Sequence, residues 1–290
     1  MKNVLNFWIL GGDLRQVHLA RLLAEDGHHV HTYALDLAPS LPKNLISEAI
    51  SALDQADVVV LPMPVSSDDN ILFAPFSSSS VPLSQILDCI SPNSFLCGGR
   101  PAVPFLSLSH QRGLSFFDYF AQEELILSNC IPTAEGAIQL AMEYLPITIH
   151  ASHVLVVGCG RLGKITAERF AALGARVTVA ARKHEQLAWA ECHGFNTEHI
   201  ENLSSQLSQH DLIVNTVPAL ILGTAELSNL KPECLIIDLA SKPGGVDFET
   251  AKKLHLSVIH ALALPGKVAP ATAGAIIKRT ICHILHEHGF

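Results

Sequence analysis

The stretch VLVVGCGRLG, residues 154–163, constrains the fold more than any other part of the chain. The apolar run Val154 to Val157 reads as a strand and passes straight into Gly158, Gly160 and Gly163 in the G-x-G-x-x-G spacing. ITAERFAALG follows with the apolar period of a helix packed on a sheet, and Gly174 stops it. A second strand, Arg176 to Ala180, closes a βαβ unit. Each glycine then has a physical task. Gly158 permits the tight turn, Gly160 lets the backbone approach a pyrophosphate, and Gly163 lets the helix sit close to the strand. Arg161 and Leu162 complete the loop. The free N–H groups and the positive dipole end at the helix N-terminus favour phosphate. This context points to a dinucleotide site; a glycine-rich turn without a ligand is the alternative.

The end of the second strand bears on which dinucleotide. NAD sites usually carry Asp or Glu there for the ribose 2′-OH, whereas an Arg accommodates a 2′-phosphate. Here the strand ends Ala180, Ala181, Arg182, Lys183, with no carboxylate before Glu185. Arg182 can grip phosphate through two parallel N–H bonds. NADP(H) is therefore expected over NAD(H), the alternative being that the two cations form a solvated turn.

The chain has 290 residues, 49% hydrophobic and 16% charged, enough for a buried core in one large domain or two modest ones. A net charge of −8 argues against broad nucleic-acid binding, and no apolar run reaches membrane-spanning length. The apolar start MKNVLNFWIL runs into GGD without a small-residue cleavage site and reads as a first strand rather than a signal peptide. Seven scattered cysteines without a C-x-x-C pair suit reduced cytosolic thiols, with Cys159 a small side chain that fits the glycine loop. The sixteen histidines make no H-x-x-x-H or H-E-x-x-H motif, so no metal is expected.

The first third repeats the α/β pattern: FWILGGD, the amphipathic LRQVHLARLLAEDG, HVHTYALD, ADVVVLPMPV and SFLCGG. The fold class expected is α/β, with two doubly wound, Rossmann-like domains and a cleft between them. The first would comprise 1–130 plus a returning C-terminal helix within 268–290; 131–150 would be a linker helix and 151–267 the NADP domain. Pro132 suits a first helical turn, with Thr133 or Asn129 as its cap. The Ser- and Pro-rich residues 66–84 form a loop at the strand edge where such sheets bind ligands.

Candidate chemistry lies in four loops. NTVP offers Asn215, Thr216 and Pro218, with Asn215 and the backbone placed to hold a nicotinamide carboxamide; an ordinary turn is the alternative. DLASKPGG offers Asp238, Ser241 and Lys242, with Gly244 and Gly245 allowing close backbone approach. Lys242 could meet a substrate carboxylate, and Asp238 could equally be a buried anchor. In LPGKVAPATAG, Thr272 reads as a helix cap at a domain crossing. In GGDLRQ, Asp13 can cap the next helix, while Arg15 opposes the helix dipole and suggests an anion partner. Glu135, read at the start of the linker helix, would have a lowered pKa and act as a base.

GGDLRQ (11–16), IPTAEG (131–136), GCGRLG (158–163), FAALGA (170–175), NTVP (215–218), DLASKPGG (238–245) and LPGKVAPATAG (264–274) together resemble the A subunits of bacterial dipicolinate synthase over nearly the whole chain. The least similar part is 66–120. The resemblance implies conversion of a tetrahydrodipicolinate-type intermediate of the lysine pathway to pyridine-2,6-dicarboxylate, by loss of water and then of a hydride and a proton. It implies NADP as hydride acceptor, a small dicarboxylate substrate, partnership with a flavoprotein-like B subunit, and a cytoplasmic place in the mother cell of a sporulating bacterium. A homo-oligomer is expected. Arg15 and Lys242 are then the cations expected to face each other across the cleft around a dianion, with Glu135 or Asp13 the base. Two other readings stay open: a stand-alone NADP-dependent dehydrogenase of shikimate, alanine or 2-hydroxyacid type, and a non-catalytic NADP-binding regulatory subunit.

Overall fold

In a computed structural model the chain is described over residues 4–46, 50–68, 70–205 and 207–290, with the side chains of 204 and 205 left aside. Met1 to Asn3, read as part of the first strand, lie outside the described residues. The chain divides into two compact units, Met1–Asn129 with Ala269–Phe290, and Cys130–Val268.

The first unit holds β1 (Asn6–Leu10), α1 (Leu14–Glu25), β2 (His29–Tyr33), β3 (Val58–Val60), α2 (Leu83–Asp88), β4 (Phe95–Gly98), α3 (Val103–Gln111) and β5 (Phe116–Asp118). All neighbouring strands are parallel, in the order β2-β1-β3-β4-β5. Apolar residues line both faces of the sheet, as a parallel sheet covered by helices requires. Phe7, Ile9, Val58 and Val60 face one core; Trp8, Leu10, Val59 and Leu61 face the other.

Helix α4 (Glu123–Tyr144) carries the chain from the first unit into the second. The expected linker helix thus begins at Glu123 rather than near Ile131, and Pro132 lies inside it. The tolerated proline hid the helical residues before it, because a proline reads as a start.

The second unit continues with β6 (His153–Val157), α5 (Arg161–Ala172), β7 (Arg176–Ala181), α6 (His184–Cys192), β8 (Asn196–His199), β9 (Leu212–Asn215), α7 (Thr224–Leu227), β10 (Leu235–Asp238), α8 (Phe248–Lys253), β11 (Ser257–His260) and α9 (Leu264–Val268). Its parallel order, β11-β10-β9-β6-β7-β8, places the glycine-loop strand β6 centrally. The order reverses between β6 and β9, the point where an open α/β sheet leaves a crevice beyond its strand ends.

Helix α10 (Pro270–Glu287) belongs to the first unit. Its Ile276, Ile277, Ile281, Ile284 and Leu285 share a core with Val17, Leu19, Ala20 and Leu23 of α1. Gly274 allows this approach, since a Cβ there would lie 2.8 Å from the Arg15 carbonyl. Thr272 is therefore inside a helix, whose cap is Ala269, rather than capping one. Pro270 at the first turn sets the start instead. Among the described residues no helix is long and apolar enough to cross a membrane.

Candidate functional site

The glycine loop of the second unit is built as its spacing demands. Residues Val154 to Val157 are fully buried, and the Gly158 N–H donates to the Ala180 carbonyl at 2.8 Å. Gly158 has φ +100°, and a side chain there would meet Thr216 Oγ1. A Cβ on Gly163 would collide with the Gly158 carbonyl oxygen. Gly160 differs: a Cβ there would project into open space, at the N-cap of α5, where no side chain caps the helix. That space, beside uncapped N–H groups of a twelve-residue helix, fits a pyrophosphate. Arg161 is exposed on the first turn, and Leu162 packs half-buried against the core. Cys159 is buried, its Sγ 3.5 Å from the Gln186 carbonyl. Burial pushes the thiol up, partly offset by the charge of Lys164.

At the end of β7, Ala181 is buried and Arg182 and Lys183 are exposed. Lys183 is the N-cap of α6 and lies 3.4 Å from Glu185, an exposed pair of little energetic weight.

The NTVP and DLASKPGG loops are knitted together. Asn215 Nδ2 donates to Asp238 Oδ1 at 2.8 Å and to the Val217 carbonyl at 3.0 Å, while its Oδ1 accepts from Val217 N at 3.1 Å. Both amide hydrogens are thus used within the protein. The expectation that the Asn215 side chain holds a carboxamide gives way to a bracing role. Asp238, fully buried, also accepts from Ala240 N at 3.0 Å and Gly245 N at 2.8 Å. Of its two readings, the buried anchor is the one the geometry realises. Gly244 takes φ +94°, and a Cβ there would lie 2.6 Å from Asp238 Oδ2; one on Gly245 would run into the Asn215 amide. The two glycines serve this loop closure. Thr216 Oγ1 donates to the Val157 carbonyl at 2.9 Å, and Pro218 is exposed. Ser241 and Lys242 are exposed on the same loop.

In the first unit, Asp13 caps α1 by accepting from Arg15 N at 3.0 Å. The Arg15 guanidinium folds back onto that carboxylate, Nε to Oδ1 at 2.8 Å and Nη2 to Oδ2 at 2.9 Å. Nη2 also donates to the Met63 carbonyl at 2.7 Å, and Arg15 is only 6% exposed. Arg15 therefore has a structural task, and Asp13 serves both as its partner and as the cap of α1. Glu135 is exposed in the middle of α4 rather than at the start of a helix, so no helix end lies beside it. The turn after β1 is closed by the unit's own chain: Gly12 N donates to the Phe73 carbonyl at 2.7 Å, and a Cβ on Gly11 would lie 2.7 Å from Leu72. The loop read at 66–84 as a ligand edge thus covers this turn, and the dinucleotide geometry belongs to the second unit.

Comparison with known proteins agrees with this division. Residues 6–120 match the family of the dipicolinate synthase A-subunit N-terminal domain. Residues 131–246 match the D-isomer specific 2-hydroxyacid dehydrogenase, NAD binding domain. The dipicolinate synthase A-subunit of Bacillus subtilis (strain 168) is 33% identical over 282 residues, 96% of this chain and 95% of its own. The chain belongs to the dipicolinate synthase A-subunit family. Two solved structures carry that description. The one from Bacillus halodurans has a TM-score of 0.87 at 30% identity, covering 97% of each chain. The one from Bacillus subtilis has a TM-score of 0.87 at 32% identity, covering 99% of this chain and 97% of its own. The second unit is accordingly a nicotinamide-dinucleotide-binding domain of dehydrogenase type, and the chain an oxidoreductase.

Within this member of the dipicolinate synthase A-subunit family, sequence reading passed over Arg100. It follows β4 with φ +55°, a left-handed conformation uncommon for a side-chain-bearing residue. Its N–H donates to Asp118 Oδ1 at 3.2 Å, and its guanidinium carbon lies 5.1 Å from the Phe120 ring centroid. The backbone and the ring hold an exposed cation at the carboxyl edge of a parallel sheet. The signal was present as Gly98, Gly99 and Arg100 at a strand end, but the left-handed turn is not written in any periodicity.

Proposed function

We propose that this chain is the NADP-dependent dehydrogenase subunit of a dipicolinate synthase. Its reaction would oxidise a dihydro- or hydroxytetrahydrodipicolinate intermediate to pyridine-2,6-dicarboxylate. The observation that carries the cofactor choice is the end of β7: Arg182 and Lys183 stand exposed where an NAD site would carry a carboxylate. The uncapped α5 N-terminus beside Gly160 would hold the pyrophosphate, with Arg161 and Leu162 supplying backbone. The backbone of Thr216 to Pro218, braced by Asn215 and Asp238, would meet the nicotinamide end. When bound, the cofactor supplies a hydride acceptor. A hydroxylated ring first loses water; the other half of the oxidation is then a proton leaving the dihydro ring, so that aromatic product forms with one reduced cofactor, one proton and, from the hydroxylated substrate, one water.

A dianionic substrate calls for cations held ready. In the second unit that residue is Lys242, exposed beside the rigid Gly244–Gly245 turn. Considered by itself, the first unit presents Arg100 as an exposed cation at a sheet edge. The relatives are named as A subunits, which supports the existence of a second subunit. We assign the flavoprotein-like B subunit that the family resemblance implies.

The test uses the purified full chain, with and without that partner, given NADP+ and freshly made hydroxytetrahydrodipicolinate. Formation of ultraviolet-absorbing pyridine dicarboxylate with equimolar NADPH supports the proposal. Oxidation of the ring hydroxyl to a non-aromatic keto acid, with equimolar NADPH, as the only product would favour a stand-alone dehydrogenase. Cofactor binding without turnover in any mixture would favour a regulatory subunit.

A further inference from the structure

Strand β8 ends at His199, which pairs in register with Ala181, the last residue of β7. From there the ring reaches past the strand end. His199 Nε2 lies 2.8 Å from the Arg182 carbonyl oxygen. A carbonyl only accepts, so Nε2 carries the hydrogen. Nδ1 in turn accepts from Glu201 N at 3.4 Å. The two contacts orient the ring, and the Glu201 carboxylate lies 3.8 Å from the same Nδ1. His184 stacks on it from the first turn of α6, with centroids 5.7 Å apart and planes inclined by 28°. The peptide that leaves Arg182 is therefore clamped from the neighbouring strand, although the Arg182 side chain is exposed.

From this juxtaposition we infer that His199 is a specificity-determining positioning residue: by holding the Arg182 carbonyl it sets the backbone from which Arg182 and Lys183 address a 2′-phosphate. The inference rests on the NADP reading above. A long exposed side chain loses rotamer freedom on binding, and that cost grows when the backbone beneath it also moves. A clamp on the backbone lowers it only for the ligand that this arginine touches. His199 should thus favour 2′-phosphorylated ligands and leave the rest of the dinucleotide site unaffected. An ordinary strand-end hydrogen bond would instead change both ligand classes alike, or neither.

The probes are 2′,5′-ADP and 5′-AMP, which differ by the 2′-phosphate alone, titrated against the full chain by calorimetry. Wild type should prefer 2′,5′-ADP. His199→Ala should weaken 2′,5′-ADP about tenfold, the size expected for impairing one charge-assisted hydrogen bond, with 5′-AMP within about twofold. His199→Gln should restore the preference, because its amide N–H can donate to the same carbonyl. In an Arg182→Ala background the His199→Ala effect should vanish, as coupling through Arg182 requires. If His199→Ala alone is poorly folded, His199→Leu, which keeps much of the volume but cannot donate, takes its place in both backgrounds. A wild type without preference defeats the NADP reading, and this inference with it. A wild-type preference that His199→Ala leaves intact, or an equal loss of both probes, overturns the inference alone.

Discussion

Asn215 and Asp238 sit opposite each other in register at the ends of neighbouring strands β9 and β10, joined by a 2.8 Å hydrogen bond. The carboxylate gathers three donors, one from the end of β9 and two from the loop that follows β10, and none of its surface is exposed. Removing it would leave those donors buried and unpaired. Asp238→Ala should destabilise the chain by roughly 3 kcal/mol or more, since each orphaned donor costs about 1–3 kcal/mol. Denaturant unfolding of the two proteins measures it, and a change under about 1 kcal/mol would contradict the anchor role.

Gly160 makes the opposite prediction. A Cβ there meets nothing within 4 Å, so Gly160→Val should fold normally. The side chain would fill the space assigned to the pyrophosphate, and dinucleotide binding should be lost. A melting curve and a binding titration on one sample decide it. Binding at wild-type strength would mean that the phosphates sit elsewhere.

Arg15 should behave as a structural residue. Arg15→Gln removes three side-chain hydrogen bonds from a buried group, two to Asp13 and one to the Met63 carbonyl. A stability loss of about 2–3 kcal/mol is expected, less than the roughly 3–5 kcal/mol for breaking a fully buried pair because Asp13 is partly exposed. Arg100→Gln should do the reverse, raising the substrate KM about tenfold or more with stability and cofactor affinity little changed. Lys242→Gln should resemble Arg100→Gln. Steady-state kinetics with the partner subunit, together with melting curves, separate the two classes. A wild-type KM for Arg100→Gln would remove it from substrate binding.

The sequence was most explicit where one residue type satisfies a backbone demand. The spacing of Gly158, Gly160 and Gly163 was legible because each answers a separate steric requirement, and the alternation of apolar strands with amphipathic helices announced both sheets. It was least explicit about who would pair with whom. Arg15 looked unemployed because its partners, Asp13 and the Met63 carbonyl, are set by a side chain folding back and by a loop 48 residues away. Asn215 looked available because its neighbour Asp238 is 23 positions distant. Pro132 hid the first third of α4, and the short strands β5 and β8 carry too few apolar residues to show a period.

Acid should weaken the second unit through Asp211. This carboxylate accepts from His153 N at 2.7 Å and pairs with Lys231. Partial burial alone would raise its pKa, but the bonds and charge of Lys231 and the His153 N–H outweigh that and hold it below the ordinary range. A folded pKa below the unfolded one adds stability above the ordinary carboxylate range, and that stability is lost as pH falls through the folded value. Wild type should therefore melt above Asp211→Asn at pH 7, with the gap closing below about pH 4. A constant gap across that range would show that the charge on Asp211 contributes nothing.

The central claim is that the second unit takes NADP(H) through Arg182 and Lys183, and a paired titration tests it most directly. NADP+ and NAD+ are titrated against wild type and Arg182→Ala. Wild type should bind NADP+ more tightly. The substitution should weaken NADP+ by roughly tenfold to a hundredfold, equivalent to about 1.5–3 kcal/mol for a charge-assisted phosphate contact, and leave NAD+ nearly unchanged. Equal affinity of wild type for the two dinucleotides would contradict the claim.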